Sequence, residues 1–197
     1  MLVLISLYLA LPERLTLGPI WLIPALALSL LVPAIISHRA GRPNLNFVLG
    51  IALLAVITAA EIWSLSILIG GLPTKRQPPA ELLRSAAALW FSNILVFASW
   101  YWRLDAGGTH QRDQRISHTK GAFLFPQMTL PPDSKLVKPN WKPDFIDYLF
   151  LAFNTSTAFS PTDAPVLSRW AKLLMMIQSA ISLGTIAILA ARAINIL

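Results

Sequence analysis

The sequence predicts an all-α fold: a polytopic transmembrane helix bundle of about four spans plus a short re-entrant or membrane-surface helix. Three observations predict it. Only 13% of the 197 residues are charged, about half the share of a soluble domain. Those charges gather between apolar runs, which is the pattern of membrane spans. Four of the runs are long enough to cross a hydrocarbon layer of about 30 Å. A mean hydropathy of +0.61 agrees. With no cysteine in the chain, disulfide and thiolate chemistry are excluded. His38, His110 and His118 fall in or beside predicted loops without metal-ligand spacing, so neither zinc nor any other cofactor is expected. The net charge of +7 flanks the spans, where it anchors to headgroups. No compact basic module remains to bind nucleic acid. The expected partner is the lipid bilayer.

Residues 1–104 read as a three-span region with a short apolar N-terminal helix. Residues 1–11 are too short to cross and read as interfacial or half-inserted. No basic residue precedes them, so a cleaved signal peptide is not expected. Residues 15–37 form the first span, with Pro24 and Pro33 expected to kink it. Residues 45–71 form the second and carry Glu61 inside the apolar run. Residues 80–104 form the third, ending in the aromatic belt Trp100-Tyr101-Trp102-Arg103. Residues 105–143 are polar and Pro-rich. Within them, 109–121 read as flexible, and Phe123 to Met128 reads as a short apolar stretch on the membrane surface. Asp105, Asp113 and Asp133 read as separated loop residues, so no catalytic arrangement is expected. Asp144 caps the next helix with Asp147 at its third position. That helix, residues 145–158, is only about 21 Å long. Residues 169–197 form the fourth span, so 144–197 reads as short helix, turn and final span.

Orientation follows the Lys and Arg bias. In the four-span arrangement eleven of the sixteen lie on the side of the long segment and five on the other. The long segment is therefore expected in the cytoplasm and both termini outside.

Polar residues inside these apolar runs are the candidate sites. Gln178, Ser182, Thr185 and Arg192 recur at one-face helical spacing, as a cavity lining or as a helix–helix seam. Glu61 is an intramembrane carboxylate, and such groups are paired or functional. Counting along the second and fourth spans brings Glu61 and Arg192 within about 6 Å in depth. A structural ion pair, a proton or ion site, and a Glu reaching headgroups all fit. The turn after the short helix offers Thr155, Ser156, Thr157, Ser160, Thr162 and Asp163. Hydroxyls and carbonyls there can contact a dehydrated ion, and Ser160-Pro161-Thr162-Asp163 can equally be a capping box.

The chain resembles a family of uncharacterised bacterial inner-membrane proteins. The resemblance rests on Leu11-Pro12-Glu13-Arg14-Leu15, Trp100-Tyr101-Trp102-Arg103-Leu104-Asp105 with Gly107-Gly108, Phe123-Leu124-Phe125-Pro126-Gln127-Met128, and Ala190-Ala191-Arg192. It implies a multi-pass protein of the cell inner membrane and no transferable activity. The C-terminal third distantly resembles the two-helix pore module of potassium-type channels. The filter glycines are missing, with Ser160, Pro161 and Thr162 in that region, so potassium selectivity is not implied. The leading expectation is a channel- or transporter-like membrane protein. A pore would need a homo-oligomer, because four spans enclose little volume. The alternative is a structural or partner-binding membrane protein that meets a cytoplasmic partner through 105–143.

Overall fold

The computed structural model describes residues 1–71, 78–131, 134–157 and 164–194; of residues 79 and 191–194 only the backbone is described. Among these residues the chain forms seven α-helices and no strand. They are α1 (Leu2–Leu9), α2 (Leu22–Arg39), α3 (Pro43–Gly70), α4 (Pro79–Leu104), α5 (Thr109–Gln114), α6 (Phe145–Thr157) and α7 (Arg169–Ile194). Four of them, α2, α3, α4 and α7, are long and apolar enough to cross a membrane. Fewer than a third of the residues in the apolar windows of α2 and α7 are buried, and a third in that of α3. Large apolar side chains such as Trp21, Val32, Ile36, Val48, Leu173 and Met176 therefore point outward.

The helices fall into two compact units. The first comprises residues 1–96 and 180–197. In it α2 and α3 pack as a hairpin. Gly41 makes the turn at φ 66°, a left-handed conformation that glycine adopts at no steric cost. Pro43 opens α3, where its missing N–H is not needed. Asn46 Nδ2 donates to the Ala34 carbonyl at 2.8 Å and pins the two helices together. The first span starts later than the sequence suggested. Residues 13–15 form a 3-10 turn, Gly18 sits at φ 73°, and α2 begins only at Leu22. Pro24 consequently lies in the first turn of α2, where proline is tolerated, and Pro33 alone sits in its interior. α1 packs on α2, and the Tyr8 hydroxyl accepts the Leu17 N–H at 2.9 Å. Arg14 and Glu81 pair at 2.5 Å on the surface, which contributes less than about 1 kcal/mol. On α3 the buried residues Leu53, Leu54, Ile57, Ala60, Glu61, Ser64, Leu65 and Leu68 form one stripe at helical spacing. Gly184 of α7 lies against Leu65 and Ile69 of that helix.

The second unit is residues 97–179. Asp144 Oδ1 accepts the Ile146 and Asp147 N–H groups, and Asp147 Oδ2 accepts the Asp144 N–H at 2.8 Å. This is the reciprocal cap expected of Asp144 and Asp147. The segment before it differs from expectation. Residues 109–114 are the helix α5, not a flexible run, and Arg112 and His118 are buried. Phe123 and Phe125 do not lie on a surface; they are 0% and 4% exposed. Phe123 meets the rings of Tyr101, Tyr148 and Trp170 edge-on, and Phe125 meets Tyr148 and Trp141. A short bridge holds this segment. Leu124 donates to the Pro165 carbonyl at 2.9 Å, and Leu167 donates to Ala122 at 2.7 Å. Aromatic rings that could have entered lipid were better satisfied by one another.

Candidate functional site

Three arrangements of polar residues stand inside the two units. In the first unit Glu61 is 3% exposed, although it sits on the apolar stripe of α3. Neither carboxylate oxygen has a hydrogen-bond partner among the described residues. Glu61 lines a cavity of about 20 Å³ whose walls come from α1, α2, α3 and α4. That is room for one water molecule. The walls are apolar except for Tyr8 and Ser92. An unpaired ionised carboxylate in such surroundings loses several kcal/mol of solvation. Arg192 belongs to α7, but its side chain lies outside the described residues, and so does the expected pairing with Glu61.

In the second unit Gln178 of α7 gathers three helices. Its Nε2 donates to the Ala152 carbonyl at 2.7 Å and to Ser156 Oγ at 2.8 Å on α6. Its Oε1 accepts the Tyr101 hydroxyl of α4 at 2.5 Å. The amide is buried and used on both ends, an arrangement that fixes helix positions. Thr155 and Ser156 are buried in α6, where the Thr155 hydroxyl donates to Leu151 at 2.8 Å. Thr157 is exposed and donates to Phe153 at 3.0 Å. Ser160, Thr162 and Asp163 lie outside the described residues. Further along α7, in the part that belongs to the first unit, Ser182 and Thr185 are fully buried, with the Thr185 hydroxyl donating to the Ser182 carbonyl at 2.8 Å. Gln178, Ser182 and Thr185 thus share the buried face that their spacing gives them.

The third arrangement escaped the sequence reading. Asp105 follows α4, and its side chain is fully buried, not a loop carboxylate in water. Oδ1 accepts the Ala122 N–H at 2.5 Å and Oδ2 accepts the Tyr148 hydroxyl at 2.6 Å. His118 Nε2 stands 3.5 Å from Oδ2. Arg112 lies over the rings of Tyr148 and Trp102, and donates to the Trp102 carbonyl at 2.9 Å. Burial, then the charge of Asp105, holds the Tyr148 hydroxyl well above its usual range, so it stays a donor. Burial lowers His118 below its ordinary 6.5, and Arg112 and Arg115 add to this while Asp105 opposes it. The imidazole is therefore neutral near neutral pH. The backbone is shaped for this cluster. Ala106, Gly107 and Gly108 all take left-handed φ values, 55°, 84° and 96°, reversing the chain directly after Asp105.

Gly121 is the second shaping residue. A Cβ there would come within 2.8 Å of both Asp105 Oδ1 and His118 Nε2. Gly121→Ala should lower stability by about 1–3 kcal/mol through that overlap. The thermal midpoint in detergent measures it, and an unchanged midpoint would show that the cluster is loose. One signal in the sequence pointed to these residues: a lone aspartate, the Gly107-Gly108 reversal and the aromatic run at 123–125 all within one segment. Among the described residues, no three His, Cys, Asp or Glu converge as a metal site. Comparison with protein-family models, curated proteins and solved structures finds no match to this chain.

Proposed function

We propose that this chain is a multi-pass membrane protein that moves a small ion, in the manner of a transporter or channel. The observation that carries the reading is Glu61: a buried carboxylate without a described partner, facing a cavity within a helix long enough to span a membrane. Such a group destabilises the fold, and inside a membrane span groups of this kind are paired or functional. The outward apolar faces of α2, α3 and α7 support a lipid environment, because a water-exposed surface of that extent would aggregate. The resemblance to bacterial inner-membrane proteins supports the cell inner membrane as its location. Four spans enclose little volume, so a continuous pore would be shared between copies.

The test is flux. Purified protein in sealed vesicles, given an ion gradient and a matched potential, should carry current that Glu61→Gln reduces at least about tenfold, the scale of losing about 1.4 kcal/mol of barrier lowering. Well-folded protein that carries no flux under any gradient sinks the reading.

One observation favours a second reading, a partner-binding membrane protein without transport. Ile116 and Leu136 are 79% and 85% exposed, each beside a basic residue, Arg115 and Lys135. Apolar side chains held in water among cations suit a protein contact. An absence of flux leaves this reading standing.

A further inference from the structure

We propose that the ion bound at Glu61 is a proton, taken up and released by that single carboxyl, and not a metal cation. The proposal rests on the transport reading above and names its substrate.

Donor count and space decide between the two. The side-chain oxygens among the described residues lining the cavity are the two of Glu61 and one each of Tyr8 and Ser92. The Tyr8 hydroxyl already accepts the Leu17 N–H. Hard cations such as calcium need about 6–8 oxygens once dehydrated. Waters cannot make up the difference, because the cavity of about 20 Å³ has room for about one. At the end of α1 the Leu7 and Tyr8 carbonyls already accept the Ala10 and Leu11 N–H groups. A proton needs no coordination shell, and one carboxyl oxygen holds it. A single water in the cavity would give that proton a neighbour to move to.

The electrostatic surroundings agree. Besides Glu61, Tyr8 of α1 is the one titratable group among the described residues lining the cavity. α2 brings Ile23, Pro24 and Ala27, and α4 brings Ala88, Leu89 and Ser92, none of them ionisable. Among the described lining residues none carries a second carboxylate to share a cation or a base to hold Glu61 permanently ionised. The charge of Glu61 can therefore be cancelled by a proton alone among the described groups.

The site can be tested by carbodiimide labelling, apart from transport. Dicyclohexylcarbodiimide partitions into apolar regions and reacts with the protonated carboxyl. The acid O–H adds across a C=N bond, and the acyl group then shifts from oxygen to nitrogen to leave a stable N-acylurea. The full chain is placed in vesicles of phosphatidylethanolamine and phosphatidylglycerol, treated across a pH series, and mapped by peptide mass spectrometry. Glu61 should be labelled in the wild type. The yield should fall about tenfold per pH unit above the midpoint of the carboxyl, and saturating sodium, potassium or calcium should not change it. Protection by one of those cations overturns the proposal in favour of a metal site. Labelling that appears only in Arg192→Gln overturns it in favour of a permanent ion pair. No labelling in either protein overturns it outright. Glu61→Gln, which removes the reactive acid with little change of shape, controls for other labelled carboxyls, and Glu61→Asp keeps the test open should that variant fold poorly. Labelling without flux would remove the transport reading and leave the proton site; flux without labelling would do the reverse.

Discussion

Asp105→Ala should lower the stability of the fold by about 3 kcal/mol or more, the largest loss expected from a single change in the second unit. The Ala122 N–H and the Tyr148 hydroxyl would both lose their acceptor while remaining buried. Each such orphan costs about 1–3 kcal/mol. Arg112 would then lie over a Tyr148 ring whose hydroxyl has lost its acceptor. Asp105→Asn keeps one acceptor oxygen and should cost less. Tyr148→Phe removes one donor and should cost about 1–2 kcal/mol. Double-mutant cycles between Asp105 and Tyr148 should give a coupling of about 1–3 kcal/mol, and zero coupling would mean that the bond does not form in solution. The thermal midpoint in detergent reports the total. Proteolysis of residues 109–142 reports where the loss occurs, because this is the segment that Asp105 fastens.

The same cluster sets a pH dependence. His118 is held below its ordinary 6.5 by burial, so the unfolded chain takes up a proton before the folded one does. The stability from a neutral His118 is complete above pH 6.5 and is lost as pH falls below it. Asp105, Arg112 and Arg115 are the charges that set the extent. Tyr148 acts at the other end: its raised value means that stability is complete below pH 10 and declines above it. His118→Phe should flatten the acid limb and leave the alkaline one.

How much of this was legible differs by region, for a physical reason. The four long apolar helices were legible because the length and composition needed to cross a membrane are local properties of each run. α3 and α4 appear close to where the apolar runs of 45–71 and 80–104 placed them. The start of α2 was not, because residues 16–21 are not helical although they lie in a mainly apolar run, and Gly18 and Pro19 outweigh hydropathy there. The shared face of Gln178, Ser182 and Thr185 was legible from spacing alone. What Gln178 bonds to was not, since Ser156 and Tyr101 lie 22 and 77 residues away. Asp105 failed for the same reason. Its partners Ala122 and Tyr148 are 17 and 43 residues distant, and no periodicity links them. The apolar run at 123–125 was read against lipid because its length suits a surface stretch. Its rings found Tyr101, Tyr148 and Trp141 instead.

Glu61→Leu should do the opposite of Asp105→Ala: it should raise stability while abolishing ion movement. Leucine has nearly the length of glutamate and would extend the apolar stripe of Ile57, Ala60 and Leu65 into a cavity whose walls are already apolar. The change removes a buried polar group without a described partner, worth about 1–3 kcal/mol. For a chain of this size each kcal/mol moves the thermal midpoint by about 2–4 °C. Glu61→Gln keeps a polar group in the cavity and should gain little. The pair of measurements separates use from structure. A carboxylate that holds the fold together, for instance through Arg192, would make Glu61→Leu destabilising by about 3–5 kcal/mol, since it would strand a buried cation. A carboxylate kept for ion movement makes the leucine variant more stable and inactive, the trade expected where a strained group serves function. A stable variant that still moves ions would leave Glu61 with neither role.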